Sequence, residues 1–241
     1  MHMIKSKAWL AAALGGVLCV AAFGRLAAAE PATMRLDYLH SGDAKTELYA
    51  LERVVIEPLP WPGNPARPVD TSNRGANKFE ITDAQTGALL YSRGFSTIFG
   101  EWRTTDEAAS MARGFEESLR FPAPSKPFKV RVFKRDQLNA VVPAWEAAVD
   151  PAASDIQRKS MPAPATPVAI RSSGPSRDKV DLLILGDGYT LAQAGKFAAD
   201  ARRLSDHLFT VSPFRERAGD FNVWALMVPT PEAGISRPST A

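Results

Sequence analysis

The stretch KVDLLILGDGYT, residues 179–190, decides the fold of the C-terminal part of the chain. Its apolar run, residues 180–185, is typical of a strand that is buried on both faces of a parallel sheet. A turn with two glycines follows, and Thr190 with Gln193 three residues later forms the capping box that predicts the start of a helix. A second apolar run, residues 221–228, predicts another strand after that helix. The order of strand, helix and strand indicates a βαβ unit.

The predicted helix of this unit has one apolar face, which should pack on the sheet. The residues of that face are spaced four, three and four apart. They are Phe197, Ala201, Leu204 and Leu208. The opposite side is polar, at Arg202, Arg203 and Asp206, and Pro213 is expected to end the helical region. About sixty residues cannot cover both faces of a parallel sheet. Residues 179–241 are therefore expected to be the incomplete start of a larger α/β domain, poorly stable alone.

The turn Gly186-Asp187-Gly188 matches a dinucleotide-binding fingerprint only in part. The fingerprint has a third glycine where this chain has Leu191, and Asp187 would place a negative charge where phosphate oxygens should lie. A nucleotide is therefore not expected. Asp187 could bind a cation or accept hydrogen bonds from backbone amides of its own turn, and the second interpretation is favoured. A small hydrolase built on Asp187 is disfavoured because no partner base accompanies it.

Residues 1–29 have the pattern of a secretory signal peptide. Lys5 and Lys7 precede an apolar run over residues 8–23, and the segment ends with three alanines at residues 27–29. The run of about 16 residues is shorter than the roughly 18 to 20 that span a bilayer, so cleavage is favoured over an uncleaved membrane anchor. The sequence thus predicts a secreted or periplasmic bacterial protein without stable membrane insertion.

Charge and cysteine content limit the partners of the exported chain. The signal segment holds three of the 29 basic residues and no acidic residue, which leaves 26 basic and 26 acidic residues. A neutral chain without a basic stripe is not expected to bind nucleic acid. The only cysteine, Cys19, lies within the signal segment. Neither a disulfide framework nor a cysteine-based zinc site is therefore expected.

Alternation of apolar and polar residues dominates residues 30–150 and predicts an N-terminal all-β sandwich. Seven short strands are predicted, at residues 35–39, 48–57, 78–82, 88–92, 115–121, 128–133 and 141–149. Asp83 and Gly87 are expected to shape the hairpin between the third and fourth strands. An aspartate can accept hydrogen bonds from turn amides, and a glycine readily adopts positive φ.

Two proline-rich segments interrupt this pattern. Residues 55–70 are predicted to be an irregular excursion, because proline removes sheet donors. Trp61 within it could bind a ligand or pack against the sheet, and packing is favoured. Residues 151–178 are rich in Pro, Ala and Ser, which predicts a stiff linker between the sandwich and the α/β segment.

No catalytic, cofactor-binding or metal-ligating residue is predicted in the chain. A zinc-protease helix of the His-Glu-x-x-His type needs two imidazoles four residues apart, but only His40 and His207 follow the signal segment. His207 is interpreted as a residue on the flank of the predicted helix. Glu116 and Glu117 are adjacent on a predicted strand, so their side chains should point to opposite faces as ordinary solvated charges. A Gly-x-Ser-x-Gly elbow for nucleophilic catalysis is also lacking.

Two segments resemble the bacterial IgA-peptidase family of zinc metallopeptidases. Residues 179–190, with FNVWA at 221–225 and VP at 228–229, resemble the opening of that family's catalytic domain. The stretch YSRGFSTIFGEWRTTDEA, residues 91–108, resembles its N-terminal β-sandwich domain. The resemblance implies a secreted zinc endopeptidase that acts on proteins or peptides. It also implies that the His-Glu-x-x-His helix follows Ala241, so no family zinc ligand or catalytic glutamate is carried onto this chain.

Two functional hypotheses follow from these observations. In the first, the chain is the N-terminal, non-catalytic portion of such a metallopeptidase, inactive alone, with zinc required by full-length relatives. In the alternative, a secreted β-sandwich module binds a glycan or a host protein, and the peptidase segment is vestigial. The alternative would use Phe99 and Trp102 as an exposed aromatic platform. The same two residues are otherwise expected to lie in the core.

Overall fold

A computed structural model describes residues 30–160 and 167–234. The predicted signal peptide lies outside the described residues. The first described part is an all-β sandwich, and the second is a smaller α/β unit. The sandwich strands are β1 (Ala32–Gly42), β2 (Glu47–Pro60), β3 (Asn77–Asp83), β4 (Leu89–Phe95), β5 (Arg113–Pro122), β6 (Phe128–Arg135), β7 (Val141–Val149) and β8 (Gln157–Arg158).

The sandwich consists of two four-stranded sheets. One sheet has the order β5-β1-β2-β8 and the other has the order β4-β3-β6-β7. Neighbouring strands are antiparallel, except that β8 runs parallel to β2. All seven strands predicted from the alternation pattern are present, and β8 is an addition within the predicted linker.

The inward-facing side chains of both sheets form one hydrophobic core. Along β1 every second residue is turned inward, which is why the alternation pattern predicts the strand correctly. The completely buried members include Met34, Leu36, Ile81, Phe121, Phe128, Val130 and Val132. The described core therefore lies between the two sheets, as in other sandwiches.

The hairpin between β3 and β4 forms as predicted. Oδ1 of Asp83 accepts hydrogen bonds from the backbone N–H of Gln85 at 3.0 Å and of Thr86 at 2.8 Å. Gly87 adopts a φ of +72°. A side chain added at Gly87 would meet nothing within 4 Å, so backbone conformation and not crowding favours glycine there.

The proline-rich stretch differs from the prediction at its beginning. Strand β2 continues to Pro60, so residues 55–60 are extended and the irregular part begins only afterwards. The pairing with β1 shifts register between Ala32 and Met34, opposite these prolines, and proline is tolerated at such irregularities. Trp61 packs on the core with its ring edge-on to Tyr91 at 5.6 Å between centroids. The packing role favoured for Trp61 is confirmed.

A short helical segment connects β4 to β5. Helix α1 (Ile98–Trp102) begins after Thr97, whose Oγ1 accepts a hydrogen bond from the backbone N–H of Gly100 at 2.8 Å. A 3-10 turn, Glu107–Ala109, follows. Phe99 and Trp102 of α1 are buried in a second, smaller apolar cluster with Ala108.

The α/β unit contains β9 (Val168–Arg171), β10 (Val180–Gly186), α2 (Ala194–Leu208) and β11 (Phe221–Met227). Strands β10 and β11 are parallel and joined through α2, which confirms the predicted βαβ unit. Strand β9 lies within the predicted linker and pairs antiparallel with β11. Short 3-10 turns occur at Ser176–Asp178, Leu191–Gln193 and Ala218–Asp220.

The start of the helical region is confirmed, but its buried face is displaced from the prediction. The side chain of Gln193 accepts a hydrogen bond from the backbone N–H of Thr190 at 3.0 Å, as the capping box requires. The buried residues of α2 are Phe197, Ala201 and Ser205, whereas Leu204 is 52% exposed. The contact follows the i, i+4, i+8 row, so the prediction for Leu204 is wrong. Helix α2 ends at Leu208, before Pro213.

Strand β10 is covered on one face only within the described residues. Helix α2 packs on Ile184 of β10 and Ala225 of β11. On the other face of β10, Leu183 is 53% exposed and Leu185 is 64% exposed. The predicted burial of this strand on both faces is therefore not found. None of the described helices is long and apolar enough to cross a membrane.

Candidate functional site

A buried cluster of charged side chains lies at one end of the sandwich. His40 comes from β1, Glu47 from β2 and Glu117 from β5. Because β1 lies between β2 and β5 and all three are antiparallel, inward-facing side chains of the three strands meet. His40 is only 1% exposed, and the side chains of Glu47 and Glu117 are 7% and 9% exposed. These three residues are called the histidine clasp below.

Both ring nitrogens of His40 contact carboxylates. Nδ1 lies 3.0 Å from Oε2 of Glu117, and Nε2 lies 3.0 Å from Oε1 of Glu47. The imidazole ring is stacked between Phe99 at 4.1 Å and Tyr49 at 4.2 Å, measured between ring centroids. An ionised carboxylate can only accept hydrogen bonds, so both nitrogens must carry a proton to make both bonds. The geometry therefore fits an imidazolium ion held by two carboxylates.

Further donors complete the hydrogen bonding of the two carboxylates. Tyr38 donates its hydroxyl proton to Oε2 of Glu117 at 2.8 Å, and Tyr49 donates to Oε1 of Glu47 at 2.7 Å. Arg103 donates to Oε2 of Glu47 at 2.9 Å, and Lys134 donates to the same oxygen. The backbone N–H of Phe99 donates to Oε1 of Glu117 at 3.3 Å. Buried charges need this degree of pairing.

The cluster shifts the pKa values of His40, Glu47 and the two tyrosines. Burial lowers the pKa of His40, but the hydrogen bonds to Glu117 and Glu47 outweigh it and raise the pKa overall. Burial raises the pKa of Glu47, but hydrogen bonds from His40, Lys134 and Tyr49 bring it well below its ordinary value. The pKa of Tyr38 and of Tyr49 is raised by burial and by the neighbouring carboxylates. Both tyrosines therefore stay protonated as donors.

The segment 91–108 contributes to this cluster through α1. Phe99 is completely buried and Trp102 is 8% exposed. The indole N–H of Trp102 donates to Oε2 of Glu107 at 2.8 Å, and its ring packs near Phe115 at 5.5 Å between centroids. The hypothesis of an exposed aromatic platform is therefore wrong, and the alternative expectation that both residues are core is confirmed.

The interpretation of Glu117 as a solvated charge is also wrong. Glu116 is exposed, while Glu117 points inward to Tyr38 and His40. The prediction that the two side chains point to opposite faces is confirmed. The alternation pattern could have identified the buried partner, because it places Glu117 on the same face as the buried Leu119 and Phe121.

The turn after β10 contains Asp187, for which the sequence left cation binding open. A Cβ added at Gly186 would lie 2.7 Å from the ring of Phe197 on α2, so glycine permits the close packing of strand and helix. Gly188 has a φ of +72°, and a Cβ there would lie 2.2 Å from the carbonyl oxygen of Gly234. Both glycines therefore have structural roles.

Asp187 lies exposed between these two glycines, at the carboxyl end of β10. None of the hydrogen bonds within residues 30–160 and 167–234 involves its carboxylate, so the expected bonds to amides of its own turn are not found. The turn is held by backbone bonds instead, from Thr230 to the carbonyl of Tyr189 and from Gly234 to that of Gly188, both at 2.9 Å. In open α/β sheets the carboxyl end of a strand is where ligands commonly bind.

The two histidines do not come together. His207 is exposed in the last turn of α2, as the helix-flank interpretation expects, and His40 is buried in the sandwich. Across the part of the chain that the structure describes, no three His, Cys, Asp or Glu side chains are grouped to hold a metal ion. The candidate sites within the described residues are therefore a buried cluster of charged side chains and an exposed turn.

The architecture defines a two-unit class of protein, with an N-terminal all-β sandwich and a C-terminal α/β unit. Two family models match the chain in the same order. The peptidase M64 N-terminus matches residues 26–146, and IgA Peptidase M64 matches residues 168–241. The chain therefore belongs to the peptidase M64 family, which indicates a protein or peptide as the kind of substrate. No curated protein matches the chain at a significant level.

Proposed function

We propose that this chain is the N-terminal, non-catalytic portion of a secreted zinc metallopeptidase, an endopeptidase of the IgA-peptidase type. The observation that carries the proposal is the order of the two family matches, the N-terminal model first and the peptidase model second. The apolar segment over residues 8–23, followed by three alanines, supports export. The substrate class is a protein chain.

The placement of the histidines supports a non-catalytic role for the described residues. A His-Glu-x-x-His site uses two imidazoles on one helix face to bind zinc, and a glutamate to activate the bound water. His40 lies in a strand, and both of its nitrogens are bonded to carboxylates. His207 lies on α2 without a second histidine on that helix. We therefore place the zinc ligands of the active protein outside the described residues.

The burial of Phe99 and Trp102 bears on the alternative binding function. A sandwich that binds glycans through aromatic stacking needs exposed rings. These two rings are instead packed on His40 and Phe115. The exposed aromatic surface that the alternative binding function requires is not found at these two residues. The metallopeptidase role is therefore the better supported function.

The first experiment measures casein hydrolysis by the purified chain with added zinc and with a metal chelator. We expect no chelator-sensitive hydrolysis by the chain alone. Chelator-sensitive hydrolysis that disappears in the variant His207→Gln would contradict the proposal, because it would assign a metal ligand to α2.

A second experiment tests the positive part of the proposal. In a family member that carries a His-Glu-x-x-His helix, the sandwich is replaced by residues 30–160 of this chain. We expect the chimera to be secreted and to hydrolyse casein in a zinc-dependent manner. The same chimera with Phe99→Ala is the control and should be secreted poorly. A well-folded chimera without activity would argue that this sandwich does not serve as the front of a peptidase.

A further inference from the structure

The geometry of the histidine clasp requires a proton on each ring nitrogen of His40. Nδ1 and Nε2 of His40 each lie 3.0 Å from a carboxylate oxygen. If the ring were neutral, one nitrogen would direct a lone pair at a carboxylate oxygen at that distance. With 1% exposure, no water can replace the missing donor from outside. The buried cluster is therefore satisfied only when it retains this proton.

The surroundings make His40 the main cation for Glu117. The other donors to Glu117 are neutral, namely the Tyr38 hydroxyl and the Phe99 amide. Glu47 differs, because two other cations bond its second oxygen. The charged and titratable groups that face His40 are Glu117 on β5, Glu47 and Tyr49 on β2, Tyr38 on β1, Arg103 after α1 and Lys134 on β6. Loss of the proton thus leaves Glu117 buried without a cationic partner.

Helix α1 contacts the clasp at three points, and its two aromatic rings also pack on Phe115 of β5. The Phe99 ring stacks on His40, and the Phe99 amide donates to Glu117. Arg103, at the C-terminal end of α1, donates to Glu47 and lies over the Phe99 ring at 5.5 Å. Helix α1 therefore has one of these contacts with each member of the clasp.

We propose that His40, Glu47 and Glu117 form a proton-dependent clasp that helps to hold α1 on the sandwich and loosens it when His40 loses a proton as the pH rises. The loosened segment would expose Phe99 and Trp102. The clasp thus gives the sandwich a conformational response to pH that is separate from zinc binding or peptide hydrolysis.

The direction of the pH effect follows from the shift of the His40 pKa. The pKa is raised in the folded protein, so the folded state binds the proton more tightly than the unfolded state does. The stabilisation is fully present below the unfolded-state pKa of about 6.5. It is lost as the pH rises through the folded-state pKa. The clasp is therefore closed under mildly acidic conditions and opens as the pH rises above the folded-state pKa of His40.

The first test is made on the unaltered chain, by NMR of the His40 ring and by hydrogen exchange of the Trp102 indole. At about pH 6, close to the ordinary histidine pKa, both ring nitrogens of His40 should be protonated, with both N–H signals protected from exchange. As the pH rises, loss of one ring proton should coincide with loss of indole protection beyond the intrinsic pH effect. A singly protonated His40 at about pH 6 would overturn the proposal.

The second test compares variants by thermal unfolding between about pH 6 and about pH 9. Over this range the Tm of the unaltered chain should fall further than the Tm of His40→Gln. Glu117→Gln should move the loss toward lower pH, because it removes the charge that favours the imidazolium. His207→Gln, which alters the exposed histidine, is the matched control and should behave as the unaltered chain. Equal pH profiles for the unaltered chain and His40→Gln would refute the clasp, whatever the stability of that variant.

Discussion

Replacing Phe99 by alanine should destabilise the sandwich strongly. Phe99 is completely buried, and its ring stacks on His40 at 4.1 Å. Truncating a buried phenylalanine typically costs about 3–5 kcal/mol. Lost aromatic contacts with His40 and Trp102 contribute roughly 0.5–1.5 kcal/mol for each pair, which favours the upper part of that range. For a domain stabilised by about 5–15 kcal/mol, this loss is a large fraction of the total.

The adjacent residue Ile98 provides a matched control. It belongs to the same helix and is 65% exposed. Ile98→Ala should therefore change the free energy of unfolding by less than about 0.5 kcal/mol. Both variants are compared by urea unfolding, followed by tryptophan fluorescence and by far-ultraviolet circular dichroism. The slope of free energy against urea should be similar in both, so that the midpoints can be compared directly.

The comparison would refute the burial argument in one clear case. If Phe99→Ala and Ile98→Ala shifted the urea midpoint equally, Phe99 could not be the core residue that the structure shows. An intact sandwich with Phe99→Ala would also restore the aromatic platform as a hypothesis. A large loss for Phe99→Ala alone would support the core role of the segment 91–108.

Three further predictions concern the turns, the helix and export. Gly188→Ala should destabilise more than Gly87→Ala: both have a φ of +72°, which costs a side chain about 1–2 kcal/mol, but only Gly188 also meets the Gly234 carbonyl at 2.2 Å. Equal losses in urea unfolding would argue against that contact. Phe197→Ala should cost about 3–5 kcal/mol and Leu204→Ala less than about 0.5 kcal/mol in the same assay, and a comparable loss for Leu204→Ala would restore the predicted helix face. Residues 1–29 fused to a phosphatase that is active only after export should give active enzyme, and an inactive fusion would exclude the signal peptide.

The strands and the βαβ unit could be predicted because local patterns determine them. Leu36 and Tyr38, two residues apart on β1, both face the core, and the Thr190 capping box is a contact between residues three apart. Such signals lie within a few neighbouring residues. They therefore remain readable without knowledge of the fold.

The histidine clasp could not be predicted from local patterns. His40 and Glu117 are separated by 77 residues, and their contact depends on β5 pairing with β1. The alternation pattern places Glu117 on the inner face of β5, but it does not identify His40 as its partner. The wrong prediction for Leu204 has a related cause, because the burial of Ser205 instead of Leu204 depends on which row of α2 residues faces the sheet. The contribution of β9 to the second sheet is likewise a long-range pairing.

The pairing of β1 with β5 also has a consequence for the rate of folding. Tyr38 contacts Glu117 across 79 residues, so the central strand of its sheet cannot be completed early during synthesis. Proteins dominated by such distant strand pairs fold slowly, in milliseconds to seconds. A newly synthesised chain would then remain unfolded for a time after it leaves the ribosome. That delay suits the proposed export, since a sandwich that closed at once would be too wide to thread through a membrane pore.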